Sequence, residues 1–298
     1  AGKKLWQTKV DGAVTALAAG KGLVVYGTDQ ATLGVLAADG SKVATAKPPM
    51  YRGVPSRVRN ITLADLDGDG TQEIVIGCDS WQYMAYSPAL KLVWKTVYYA
   101  HGATVGHVAD LDGDGKPEVI AGNAYYSLQI LNHRGKVLTS RSGSFGPEQT
   151  AVTSGDLRGD GTRAAILGTD GGMVLAFDAK GARLWEANVG DRVTSLRCDV
   201  VGGKLRVIAA SESGYVWALD AAGKPVWKRD LGEPVKRLAR DGDSYIAAAS
   251  ANGIVRLSLD GNVEAVAATP APVIDLVISG GQVMALTADG SALAAATR

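Results

Sequence analysis

The chain alternates short apolar runs with turn residues from end to end, and no stretch shows the longer apolar stripe of an amphipathic helix. Val14-Thr15-Ala16-Leu17-Ala18 leads to Leu23-Val24-Val25-Tyr26, and both read as strands. Val174-Leu175-Ala176-Phe177-Asp178 reads as a third strand, followed by the turn Ala179-Lys180-Gly181 and a fourth strand at Leu184-Trp185-Glu186. A pair of mostly small residues closes the second strand of each unit: Gly27-Thr28, Gly77-Cys78, Gly122-Asn123, Gly168-Thr169, Ala210-Ser211, Ala249-Ser250 and Leu286-Thr287. These seven anchors lie 37 to 50 residues apart, a spacing suited to four-stranded units.

Seven such units predict an all-β fold, a seven-bladed β-propeller of four-stranded antiparallel blades forming a single domain over residues 1–298. The last unit, from Val273, has room for three strands, whereas residues 3–10 match the fourth-strand pattern seen at 224–230. The N-terminal strand is therefore expected to close the last blade, with Leu5, Trp6 and Val10 pairing near Ala292 to Thr297 and removing exposed edges.

Composition narrows the class. The 31 basic and 30 acidic residues form no basic cluster, which argues against a nucleic-acid partner. No apolar stretch approaches the ~20 residues of a membrane-spanning helix. The chain enters repeat-like sequence at once, as expected of a mature product or an excised domain. Cys78 and Cys198 make no disulfide framework and read as small buried thiols.

The most specific chemistry lies in two acidic loops. Asp65, Asp67, Asp69, Thr71 and Glu73 alternate with other residues, as do Asp110, Asp112, Asp114, Lys116 and Glu118. Asp-Gly pairs favour turns, which explains one carboxylate per loop but not three at alternating positions. Three adjacent carboxylates repel unless a cation joins them, and oxygen donors from carboxylates and carbonyls suit calcium. Two calcium sites are expected, which also points to an extracellular or periplasmic location. A third loop, Asp156-Leu157-Arg158-Gly159-Asp160-Gly161, has arginine at the second acidic position and Ala164 in place of glutamate. It is expected to be metal-free, with the Arg158 guanidinium substituting for the cation.

These motifs, Ala64 to Gly70, Ala109 to Gly115 and the degraded Gly155 to Gly161, resemble the FG-GAP or VCBS-type propeller repeats of integrin-like and bacterial extracellular proteins. Ala176 to Trp185 and Ala218 to Trp227 are similar to quinoprotein-type repeats. The resemblance implies metal loops that brace blades rather than catalyse.

The face opposite the acidic loops carries longer, aromatic-rich connections in units two to four. Tyr51, Arg52, Arg57, Asp79, Trp81, Tyr99, His101, Asn123, Tyr125 and Tyr126 are the candidate ligand-binding residues. Aromatic faces with arginine forks suit acidic sugars, so the first expectation is a module that binds an acidic polysaccharide. A second reading is a polysaccharide lyase: His101 or His107 removes a proton, Tyr99 or Tyr125 protonates the leaving oxygen, and Arg52 or Arg57 neutralises the uronate. A third is a propeller that binds a protein partner. His133 reads as a solvated turn residue.

Overall fold

The computed structural model describes residues 6–98, 101–125, 127–142, 148–242, 244–249, 253–279, 282–289 and 292–296. It is all-β among these residues, and every sheet is an antiparallel meander in chain order. Six sheets have four strands and the seventh has three. Blades 1 to 7 span residues 14–46, 58–97, 103–142, 149–188, 193–230, 235–267 and 273–296.

Burial follows the sequence pattern strand by strand. The second strands Glu73–Cys78, Glu118–Asn123 and Ala164–Thr169 are buried at every residue, because neighbouring blades cover both of their faces. The fourth strands alternate instead, as in Leu92–Val97 and Pro225–Asp230, and form the outer edge. Pro225 sits at the first position of such an edge strand, where its missing N–H costs no ladder bond. The expected closing pairs fall at the ends of second strands, which finish at Thr28, Cys78, Asn123, Thr169, Ser211, Ala249 and Thr287; Ser250 lies outside the described residues.

Each inner strand carries a bulge immediately after its first residue, as between Val14 and Ala16, Val58 and Asn60, and Val193 and Ser195. A bulge re-aims the extra side chain. Threonines at this position reach the next blade: Thr15 donates to the Val58 carbonyl at 2.7 Å and Thr150 to the Val193 carbonyl at 2.6 Å, and Thr194 repeats the bond to Val235.

A second tie runs along the outside. The indole N–H of Trp94 donates to the His133 carbonyl, that of Trp185 to Ala221 and that of Trp227 to Leu259, each at 2.9 Å. In each case the accepting turn of the next blade ends in a glycine with positive φ, namely Gly135, Gly223 and Gly261, against which the indole lies so closely that a Cβ would collide with it. His133, expected to be merely solvated, thus serves through its backbone in one of these ties.

Among the described residues the last sheet has three strands and residues 6–10 form none, so the expected pairing of Trp6 and Val10 with Ala292–Ala296 is not seen. Leu5 and Thr297 lie outside the described residues, but Trp6 donates to the Ala38 carbonyl at 2.8 Å and Thr8 to the Gly40 carbonyl at 2.5 Å. Trp94 and Thr96 make the same pair of contacts with His133 and Gly135. Inner strands of consecutive blades pack together from blade 1 to blade 7. No comparable packing joins Val273–Ser279 to Val14–Gly20 among the described residues, and Val14, Leu17, Ile274 and Val277 stay exposed at this seam.

Candidate functional sites on the two faces of the ring

On one face, the loops from first to second strands gather the acidic residues. One carboxylate oxygen each from Asp65, Asp67 and Glu73 lies within 4.8 Å of the others, and Asp110, Asp112 and Glu118 repeat the group. The loop is pre-shaped by its backbone. Asp65 accepts from the N–H groups of Gly68 and Gly70, both at 2.8 Å, and Asp110 accepts from Gly113 and Gly115 at 2.8 and 2.9 Å. Both pairs of glycines have positive φ.

Glu73 and Glu118 are buried, and one oxygen of each accepts a backbone N–H, from Leu66 and Leu111, at 2.9 Å. Burial raises both carboxyls above the ordinary range, with the neighbouring aspartates adding to it; Glu118 is pushed up to about 7. Such hard oxygen donors, two of them buried and charge-strained, fit a calcium ion. Asp69 and Asp114 stand outside these groups. They accept from the Thr71 and Lys116 N–H groups at 2.6 and 2.7 Å and so hold the ends of the loops.

The Arg158 loop keeps the same backbone scheme. Asp156 accepts backbone N–H bonds from Arg158, Gly159, Asp160 and Gly161, and Asp160 accepts from Thr162. Backbone donors, first among them Gly161, hold the Asp156 carboxyl below its ordinary range. Among the described residues Arg158 makes no ion pair with either carboxylate; the bonds from Thr162 and, after them, the Arg158 charge hold the Asp160 carboxyl below its ordinary range.

On the opposite face, the residues of the long connections divide into two aromatic groups. Tyr51 meets Trp81 edge to face, with centroids 6.1 Å apart, and the Arg52 guanidinium lies 5.5 Å from the Tyr51 centroid. His101 stacks on Tyr125 at 4.3 Å. Asp79 pairs with Arg59 at 3.4 Å, and Arg57 is exposed. Asn123 is buried and accepts from the Tyr125 N–H, so it shapes the loop rather than facing a ligand. Tyr99 and Tyr126 lie outside the described residues.

Arg52, Trp81 and His101 have positive φ values of 49°, 62° and 95°. Such conformations are costly for side-chain-bearing residues and persist only when the surroundings enforce them. Next in sequence to Trp81, a buried network ties two of the loops together: Ser56 and Ser80 share a hydrogen bond of 2.6 Å, and the Gln82 amide donates to the Pro49 carbonyl at 3.0 Å. A cleft of about 350 Å³ includes Thr15, Arg59, Thr104, Thr150 and Arg192 in its lining.

His107 is elsewhere. It lies on the strand Ala103–Ala109, near its acidic-loop end, and its Nε2 is 3.0 Å from the Ser154 hydroxyl. Burial, helped by Arg163, depresses it to about 4. Of the two candidate bases, only His101 stands with the aromatic patch.

A family model described as outer membrane protein assembly factor BamB matches residues 170–298, and the FG-GAP repeat model matches residues 102–138. The chain carries repeats of both kinds. No curated protein matches it. Among solved structures, BamB from Moraxella catarrhalis aligns over 97% of this chain and 87% of its own, at 16% identity and a TM-score of 0.75. Sqt1 from Saccharomyces cerevisiae aligns over 92% and 81%, at 13% identity and a TM-score of 0.78. BBS1N, solved in complex with ARL6DN, aligns over 96% and 92%, at 12% identity and a TM-score of 0.72. Identities this low establish a shared propeller fold and nothing finer.

Proposed function

We propose that this chain is a protein-interaction propeller whose docking surface is the patch of Tyr51, Arg52, Arg57, Trp81, His101 and Tyr125. The observation that carries this reading is how the aromatic rings are already partnered. Trp81 and Tyr51 meet edge to face, Arg52 lies by Tyr51, and His101 covers Tyr125. A sugar is commonly held on an open aromatic face, and here each ring already has a ring or guanidinium neighbour. Half-buried Trp81 and Tyr51 beside exposed Arg52, Arg57 and Tyr125 instead have the composition of protein-interface hot spots. The BBS1N structure holds a protein partner and BamB is described as an assembly factor, which supports the same class. A periplasmic or extracellular setting accords with the BamB description.

In this reading the two acidic loops hold calcium through Asp65, Asp67 and Glu73 and through Asp110, Asp112 and Glu118, and brace blades 2 and 3 beneath the patch. The ions play no part in chemistry.

Affinity capture from the native host's cell envelope tests the docking reading. A discrete protein is expected to be enriched by the wild type and by Val263→Ala, and depleted at least tenfold by the double variant Arg52→Ala, Trp81→Ala. An acidic-glycan array probed with the same proteins supplies the contrary outcome. Binding there that the double variant abolishes, with no such protein captured, would restore the carbohydrate reading.

A further inference from the structure

Around the degenerate loop of blade 4, the acidic-loop face carries a cleft that none of the roles above uses. The cleft, of about 650 Å³, lies between blades 4 and 5, within the range of small-molecule sites. Four cations line it: Arg158 and Arg163 from blade 4, and Lys204 and Arg206 from blade 5. None of the four is within ion-pair distance of a carboxylate among the described residues, although nine other lysines and arginines are.

Two carboxylates also line the cleft, Asp156 and Asp220, but the backbone has claimed both. Asp156 accepts four N–H bonds within its own loop, and Asp220 accepts from Ala222 and Lys224, both at 2.9 Å. The guanidinium of Arg163 is fixed in place, donating from Nε to the Ser154 hydroxyl at 3.1 Å and from Nη2 to the Ser154 carbonyl at 2.9 Å. Arg206 donates one N–H to the Leu205 carbonyl at 3.1 Å. Leu157, Val200, Leu205 and Ala221 supply an apolar wall.

Like charges lining one cleft repel, so an anion entering it relieves that repulsion as well as gaining its own contacts. Arginine forks match tetrahedral oxyanions and form bidentate hydrogen bonds to them. We propose that this cleft binds a small ligand carrying a phosphoryl or sulfo group on an apolar body. The anionic group sits among Arg158, Arg163, Lys204 and Arg206, and the body lies along Leu157 and Leu205. The site stands where blades 2 and 3 have their acidic loops: substituting arginine for the second aspartate exchanges a place for a cation for a place for an anion. Its position on the opposite face makes it independent of the docking patch.

Titration with 1-naphthyl phosphate, 1-naphthyl sulfate and uncharged 1-naphthol, at constant ionic strength and read by ligand fluorescence, tests this. Saturable one-to-one binding of at least one ester is expected, with none of naphthol. Preference between the esters tells whether the site takes phosphoryl or sulfo groups. Arg158→Gln and Lys204→Gln, both at exposed positions, are each expected to weaken binding about tenfold and together by more, with thermal midpoints unchanged. Absence of binding by either ester to the wild type overturns the proposal. So does equal binding by the folded double variant.

Discussion

The Trp6 indole N–H donates to the carbonyl of Ala38 at 2.8 Å, repeating at the chain's beginning the tie that Trp94 makes with His133. Gly40, with a φ of 81°, leaves room for that indole, and a Cβ there would fall 2.5 Å from it. Trp6 is 39% exposed, so its removal is expected to cost less than emptying a core site. Trp6→Ala should lower stability by about 1–2 kcal/mol, and deletion of residues 1–10 by more. Urea unfolding measures both; a deletion variant with an unchanged midpoint would show that the N-terminal segment does not hold the seam.

The same packing makes the turn glycines sensitive. Gly135 has a φ of 74° and its Cα faces the Trp94 ring, 2.5 Å from where a Cβ would lie. Gly135→Ala should combine left-handed strain of about 1–2 kcal/mol with displacement of the indole. Gly113 is also left-handed, but its nearest neighbour would be 3.9 Å away. Gly113→Ala should therefore show the strain alone, and thermal melts of the pair separate the two effects.

Metal binding should be visible as stability. A ligand that binds only the folded state at a hundred times its Kd adds about 2.7 kcal/mol per site. Calorimetry on chelator-stripped protein is expected to find two calcium ions. Glu118→Gln should weaken one site and leave the other, because the groups of blades 2 and 3 share no residue. No calcium uptake would leave the acidic loops as turns only.

His107 predicts an acid sensitivity. Its folded-state value, depressed to about 4 by burial and by Arg163, lies below the ordinary 6.5. The unfolded chain therefore takes up the proton first, so the stability His107 contributes is complete above about pH 6.5 and is lost as pH falls toward 4. His107→Gln can keep a hydrogen bond to Ser154 without titrating. Its urea midpoint should fall less than the wild type's between pH 7 and pH 4.5; parallel declines would assign the acid sensitivity to carboxylates alone.

The blade count was legible in the sequence because strand identity is written locally. Period-two runs, Gly-rich turns and the small pair ending each second strand recur in every unit, and the structure ends its second strands there. The acidic loops were legible for the same reason, all their residues lying within nine positions, as from Asp65 to Glu73. What joins residues of different blades was not. Arg158 and Arg206 enter one cleft from separate repeats, and nothing in either repeat marks the other. His107 and His101 lie six positions apart on a common stretch of chain, yet the strand carries His107 away from the patch to a buried bond with Ser154. A further signal is a tryptophan near the start of a fourth strand, at 94, 185 and 227, each matched by a glycine ending a turn in the following unit, a pairing that Trp6 and Gly40 repeat.

Site-specific photo-crosslinking in the native host addresses the docking surface most directly. A benzophenone amino acid placed at Tyr125, which is 50% exposed, or at Trp81 is expected to give one discrete crosslinked protein, absent when the probe stands at Val263 on the outer edge of blade 6. The crosslink should weaken when Arg52→Ala is added. Crosslinks of equal yield at Val263, or none at Tyr125 and Trp81 in folded protein, would contradict a docking surface on blades 2 and 3.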